Sequence, residues 1–97
     1  ASVGLLAAGV AHEINNPVGF VSSNIEYLKQ SLPILNEFTQ HLNALFTVSD
    51  DVSKLNALQQ CQQWYSENDV DQLLTDISDI CTESDEGLQR VADITTS

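Results

Sequence analysis

Apolar residues recur along the first half of the chain in alternating steps of three and four. From Gly4 to Phe46, every position on this repeat is apolar except Gly4 and Thr39. Such a repeat predicts one long helix, over about residues 2–47, with an apolar seam like that of a coiled coil. The seam positions are Gly4, Ala7, Ala11, Ile14, Val18, Val21, Ile25, Leu28, Leu32, Leu35, Thr39, Leu42 and Phe46.

Two prolines interrupt this helical pattern. Pro17 and Pro33 have no backbone N–H to donate, so each predicts a kink. Ser31 offers an alternative at the second proline, because it is a suitable cap for a helix that restarts there. The seam keeps its register through both prolines, which favours a kink over a break.

A second helical pattern occupies about residues 67–97, after an inserted segment of residues 48–66. Its wide apolar stripe predicts a helix that faces more than one neighbour. In the insertion, Ser49 and Asp50 are candidate caps for a short helix of a turn or two. The stripe consists of Val70, Leu73, Ile77, Ile80, Ser84, Gly87, Val91 and Ile94, widened by Leu74, Cys81 and Leu88; the short helix carries Val52, Leu55, Leu58 and Trp64.

These patterns predict an all-α chain whose two long helices fold back as an antiparallel hairpin, with its tip near residue 57. A hairpin of this size buries little surface and leaves apolar seam positions uncovered, so alone it has marginal stability. We therefore expect two copies to pair as a homodimeric four-helix bundle.

The composition of the chain is strongly acidic, with fourteen Asp and Glu residues against three Lys and Arg and a net charge of −11. Nucleic acids and anionic membranes attract clustered positive charge, and Lys29, Lys54 and Arg90 are scattered, so neither is an expected partner. No apolar run is long enough to span a bilayer, and no signal peptide is evident. We expect a cytoplasmic domain, even where the parent protein is membrane-anchored. Cys61 and Cys81 do not form a CxxC pair and have no histidine at metal-ligand spacing, so we expect reduced thiols and no metal site.

Candidate chemistry lies in the segment GVAHEINNP, residues 9–17. On the predicted helix His12 points outward, Glu13 is adjacent and Asn16 follows one turn later. A metal site like HExxH lacks its second histidine, because position 16 is asparagine. Two interpretations remain: a surface histidine without a role, as we interpret His41, or a nucleophile. A neutral imidazole whose proton is drawn off by a carboxylate is a nucleophile, and here another domain must deliver its electrophile.

Two stretches carry a resemblance to a known family. LAAGVAHEINNPVGFVSSNIEYL, residues 6–28, resembles the H-box of two-component sensor histidine kinases, in their dimerisation and histidine-phosphotransfer domain. DQLLTDISDICTESDEGLQRVADI, residues 71–94, resembles the second helix of that domain. The resemblance implies that residues 1–97 form this domain of a protein-histidine kinase, a transferase of phosphorelay signal transduction. No cofactor is expected on this stretch, because the domain that binds ATP and Mg²⁺ would lie beyond Ser97.

The resemblance also implies roles for individual residues. His12 would be the phosphoacceptor, Glu13 the general base, and Asn16 the residue that positions phosphate or an attacking water. Expected partners are a second copy of the chain, the ATP-binding domain and the receiver domain of a response regulator. Pro17 would supply a structural kink, and the weaker expectation of partner binding falls on Phe20, Ser23 and Tyr27.

Two other functions stay open from the sequence. One is a phosphotransfer intermediary without a kinase lobe of its own, and the other is a structural coiled coil that transmits a signal without using His12. The long segment between the helices departs from the short turn of many family members. With a tip near residue 57, His12 would lie level with positions just past the C-terminus.

Overall fold

The computed structural model describes the backbone of residues 3–96, and these residues form three helices and no strand. Helix α1 spans Val3–Thr47, α2 spans Asp51–Glu67, and α3 spans Val70–Thr96. The all-α prediction is confirmed. Positions 2 and 97, which the two predicted helices include, lie outside the described residues. None of the three helices, as far as they are described, is both long enough and apolar enough to cross a membrane.

The first helix is unbroken over its 45 residues and continues through both prolines, so it does not restart at Ser31. Pro17 is almost completely buried, and Ser31 is buried as well. A proline inside a helix costs about 3 kcal/mol or more. Helical segments in proteins are held mainly by tertiary packing of their apolar face. The packing on either side of Pro17 and Pro33 therefore keeps the helix continuous.

The inserted segment forms a 17-residue helix, which is longer than the predicted turn or two. Asp50 is its N-cap, and its side chain accepts a hydrogen bond of 2.9 Å from the backbone N–H of Ser53. This bond holds the pKa of the Asp50 carboxyl below its usual value. The buried residues of this helix are Cys61 and Trp64, so Trp64 is the one of its four predicted apolar residues that packs inward. The other three, Val52, Leu55 and Leu58, are exposed.

Only two residues, Asn68 and Asp69, separate α2 from α3. The sequence predicts a start of the second long helix at about residue 67, and α3 begins at Val70. Glu67 still belongs to α2, and the Asn68 side chain donates to the carbonyl of Trp64 at 2.9 Å. Asp69 has a positive φ of 47°, which ends the helix and which Asp tolerates better than most residues. Its carbonyl then accepts from the N–H of Leu73, which begins α3.

The chain divides into two compact units, one built from residues up to Leu28 and from Asp76 onward, the other spanning Lys29–Thr75. In the second unit the ring of Phe38 stacks on Trp64, with centroids 5.8 Å apart, and meets Tyr65 edge-on. His41 is half-buried, and its ring lies 5.0 Å from that of Trp64. The predicted outward orientation of His41 is wrong, because its ring packs against Trp64 of α2; that His41 has no functional role stays a prediction.

In the first unit α1 and α3 pack side by side. Asn24 of α1 donates a 3.2 Å hydrogen bond to Ser84 of α3. Phe20, which precedes Asn24 on α1, lies against Gly87, which follows Ser84 on α3. The contacts run in opposite directions along the two helices, so these segments are antiparallel. Every member of the predicted narrow stripe of α3, from Val70 to Ile94, is buried or half-buried. That stripe is confirmed as the inward face of α3.

The predicted seam of α1 divides into two sets in the structure. From Ile14 to Leu42, every second seam position is buried or half-buried. Between each two of these positions, at least one residue outside the seam is also buried or half-buried. The other seam positions are exposed. A helix face that turns toward one neighbour covers only part of a wide apolar stripe. The inward residues are Ile14, Pro17, Val21, Asn24, Leu28, Ser31, Leu35, Phe38 and Leu42; the exposed seam residues include Val18, Ile25, Leu32, Thr39 and Phe46.

Candidate functional site

The side chain of His12 is exposed on the outer side of α1. With about 3.6 residues per turn, position 12 lies across the helix from Pro17 and Val21, which pack inward against the rest of the unit. The imidazole therefore faces solvent rather than α3. This placement leaves it open to a group delivered from outside the chain.

The structure places His12 and Asn16 in one row, because residues four apart are neighbours on a helix surface. Glu13 is exposed as well, yet adjacent residues do not face each other on a helix. Among the described side chains, no hydrogen bond or ion pair joins Glu13 to His12. The pair of His12 and Asn16 is thus set by the helix itself, whereas the helix does not bring Glu13 and the imidazole face to face.

Two exposed glycines flank this row. Gly9 and Gly19 both lie inside α1, and a Cβ atom added to either would have no neighbour within 4 Å. Glycine inside a helix costs about 1 kcal/mol relative to alanine. Neither glycine is needed to let another part of the chain come close. The helix surface before and after His12 therefore has no side chain at these two positions and is open to a large partner.

Pro17 is the one predicted site residue that is fully buried. It follows Asn16 directly, and its ring lies on the inward side of α1. It therefore anchors the helix beneath the exposed row. The predicted kink remains a prediction, because the continuity of α1 is compatible with a bend.

Phe20 and Tyr27, two of the three predicted partner-binding residues, contact α3 of the same unit. A Cβ atom on Gly87 would lie 2.6 Å from Cζ of Phe20, so only glycine leaves room for that ring. The Tyr27 hydroxyl donates a 3.1 Å hydrogen bond to Asp76, and this bond raises the pKa of Tyr27. Ser23 is exposed. Of the three predicted partner-binding residues, Ser23 is thus exposed, whereas Phe20 and Tyr27 also take part in packing within the unit.

A groove of about 230 Å³ opens beside the Phe20 ring. Its other lining residues come from α3: Glu83, Glu86 and Arg90. The sequence analysis gave these three no role at the site. The sequence pattern does indicate that they share a side with Phe20. Glu83 and Arg90 each precede an inward residue of α3 by one position, as Phe20 precedes Val21 on α1. Residues with that offset line the same side of an antiparallel pair.

The opposite side of the same pair carries several exposed apolar residues. Val18 and Ile25 each follow an inward residue of α1 by one position, and Cys81 and Leu88 do the same on α3. All four are exposed, with Ile25 at 47% and Leu88 at 56%. In an antiparallel pair, residues that follow the inward positions lie together on one side. We call these four residues the apolar face of the first unit, although polar residues that also follow inward positions, such as Ser22 and Asp85, lie between them; the groove lies on the opposite side.

The register of the two helices corrects the expected level of His12. Counting eight residues back along α1 and eight forward along α3 from the contact between Phe20 and Gly87 places His12 level with about residue 95 of α3. A hairpin tip near residue 57 placed it past the C-terminus instead. The difference arises because this register is set by the close approach at Gly87 and not by the midpoint of the inserted segment.

Comparison with known proteins adds no relative. No protein-family model matches the chain, and no curated protein or solved structure is significantly similar to it. The function is therefore argued from the motif and the geometry.

Proposed function

We propose that the chain is the phosphoacceptor and dimerisation domain of a two-component sensor histidine kinase. The observation that carries the proposal is the exposure of His12 on the outer side of α1, with Asn16 one turn along. A histidine buried between helices could not meet a reactant held by another domain. The sequence AHEINNP, residues 11–17, and the second matching stretch supply the family resemblance.

In the first step, His12 attacks the γ-phosphorus of ATP held by a separate domain. A nitrogen–phosphorus bond forms, the bond from phosphorus to the bridging oxygen breaks, and ADP leaves. The other ring nitrogen loses its proton to Glu13, which must turn toward the imidazole when reactants bind. Phosphoryl transfer depends mostly on positioning and on neutralising charge, which Mg²⁺ and the ATP-binding domain supply.

In the second step, the phosphoryl group passes to an aspartate of a receiver domain. The nitrogen–phosphorus bond breaks, a carboxylate oxygen of the aspartate bonds to phosphorus, and the imidazole regains a proton. Asn16, in the same row as His12, donates hydrogen bonds to phosphate oxygens or orients the water that hydrolyses the phosphorylated aspartate. The open surface at Gly9 and Gly19 admits both partner domains in turn.

The apolar face supports dimerisation as part of the same function. It comprises Val18, Ile25, Cys81 and Leu88, and a face of this kind on a small acidic domain favours a partner surface that is equally apolar. Two such faces brought together complete a four-helix bundle. The dimer leaves His12 and the groove uncovered, because neither lies on that face.

Phosphorylation with labelled ATP tests this function. The chain is incubated with the ATP-binding domain of the parent protein, and the labelled product is treated with acid and with base. Labelling that is lost in acid and kept in base is expected from wild type, because a phosphohistidine is acid-labile. The chain with ATP alone is expected to stay unlabelled, because the proposal places the nucleotide site on the separate ATP-binding domain.

The two histidines of the chain provide a matched control. His12→Gln is expected to abolish labelling, whereas His41→Gln changes a packing residue and is expected to retain it. Label that persists in His12→Gln contradicts the proposal. A signal that passes normally through the full-length protein with His12→Gln would instead support a structural coiled coil.

A further inference from the structure

Buried residues lie on both sides of the short junction between α2 and α3. Cys61 and Trp64 are buried on α2, and Val70 and Leu73 are buried on α3. All four belong to the second unit, in which every residue is described and the only other helix is α1. Trp64 stacks on Phe38 of that helix. The inward residues of α2 and of α3 therefore need to point to the same side, toward α1.

One continuous helix could not bury all four residues against the same neighbour. Cys61 and Val70 are nine positions apart, and so are Trp64 and Leu73. At about 3.6 residues per turn, nine positions make about two and a half turns, so residues with this spacing lie on opposite sides of a helix. If α2 ran straight into α3, the buried residues of one of the two helices would point away from α1. The helical phase therefore has to change by about half a turn between them.

The junction at which the phase changes is held by specific hydrogen bonds. The Asn68 side chain donates to the carbonyl of Trp64 at 2.9 Å, which caps the end of α2. Asp69 has a φ of 47°, which lies outside the right-handed helical region and interrupts the helix. The Tyr65 hydroxyl donates to the carboxylate of Asp71 and so connects α2 to α3 across the interruption. The junction is therefore a defined turn rather than a slack linker.

We propose that Asn68 and Asp69 form a phase-correcting joint, a conformational device that turns α3 by about half a turn relative to a straight continuation of α2. Each helix can then present its own apolar residues to α1. Because the helix is interrupted at the joint, α2 and α3 are separate elements, and a rotation of one about its axis does not have to turn the other. The joint lies within the second unit and is independent of the chemistry proposed for His12.

Two deletions within the joint test the proposal. Deleting both Asn68 and Asp69 leaves the buried residues of α2 and α3 seven positions apart, which is about two turns, so the two helices can fuse with these residues on one side. Deleting Asn68 alone leaves them eight positions apart, with a phase error of about 80°. A loop that only connects two helices would tolerate the smaller deletion better. The phase-correcting joint predicts the opposite order.

Thermal unfolding of the full chain, followed by circular dichroism, measures this order. The two-residue deletion is expected to keep Tm within about 4 °C of wild type. The one-residue deletion is expected to lower Tm by about 8 °C or more, because α3 then turns Val70 and Leu73 partly toward solvent. A one-residue deletion that is at least as stable as the two-residue deletion overturns the proposal, and so does an equal loss of folding in both.

Alanine insertions after Asn68 provide a second, independent pair of variants. Two inserted alanines place the buried residues of α2 and α3 eleven positions apart, which is about three turns and in phase. One inserted alanine places them ten positions apart and out of phase. The double insertion is therefore expected to have the higher Tm, although it adds more chain. A single insertion with a Tm equal to or above that of the double insertion overturns the proposal.

Discussion

The ring of Phe20 on α1 lies directly against the backbone of Gly87 on α3. A Cβ atom at position 87 would come within 2.6 to 2.7 Å of two ring carbons and 3.0 Å from Val21. This contact fixes the register of the two helices in the first unit. It also holds the aromatic ring at the edge of the groove, so one glycine determines both packing and the shape of the candidate interface.

Replacing this glycine gives a first prediction, with a matched control elsewhere in the chain. Gly19→Ala should stabilise the protein by about 0.5–1 kcal/mol, because alanine is the better helix former and the added methyl meets nothing. Gly87→Ala gains the same propensity but must displace the Phe20 ring, at a cost of about 1–3 kcal/mol. Urea denaturation should therefore show Gly87→Ala less stable than Gly19→Ala. Equal stability of the two variants would mean that the close approach is absent.

A second prediction concerns pH and the bond between Tyr27 and Asp76. The hydrogen bond to Asp76 raises the pKa of Tyr27 above its ordinary value of 10.0. A raised pKa means that the folded state favours the protonated hydroxyl. The bond therefore stabilises the fold fully below pH 10.0 and loses this effect as the pH rises through the raised value.

Tyr27→Phe removes this bond and should make the protein less stable between pH 7 and 9. Thermal unfolding, followed by circular dichroism, should show the difference from wild type shrinking above pH 10.0. A difference that stays constant through that range would contradict the assignment of the bond.

The apolar face supplies a third prediction. Ile25→Asp places a charge on that face and should convert the proposed dimer to a monomer in light scattering, because an unpaired charge at an apolar interface is strongly unfavourable. Ser23→Asp adds the same charge at an exposed position two residues earlier, away from that face, and should leave the dimer intact. A wild-type chain that is monomeric at micromolar concentration would contradict the proposed assembly.

Much of the helical structure could be predicted because the apolar spacing is regular. The steps of three and four from Val70 to Ile94 identify the inward face of α3, and the end of α1 at Thr47 follows from the loss of the repeat. Periodicity fails where a helix has apolar residues on more than one side. For α2 it could not show that Cys61 and Trp64 pack inward while Val52 and Leu55 stay exposed.

The candidate site was only partly accessible from the sequence. The outward direction of His12 follows from helical geometry once the seam is known, and the structure places it so. The groove depends on the register between two helices, which a pattern along one helix does not contain. Glu83, Glu86 and Arg90 join Phe20 only because Gly87 lets the helices approach at that level. The packing of His41 on Trp64 depends on a long-range contact in the same way.

The most direct measurement is the position of the phosphoryl group. Wild-type chain is incubated with ATP and the ATP-binding domain that the proposed function requires, kept at neutral or basic pH, and fragmented by tandem mass spectrometry. The account predicts one phosphoryl group, on His12, and none on His41. A phosphoryl group located on any other residue, or none at all under conditions in which the ATP-binding domain turns over ATP, would contradict it.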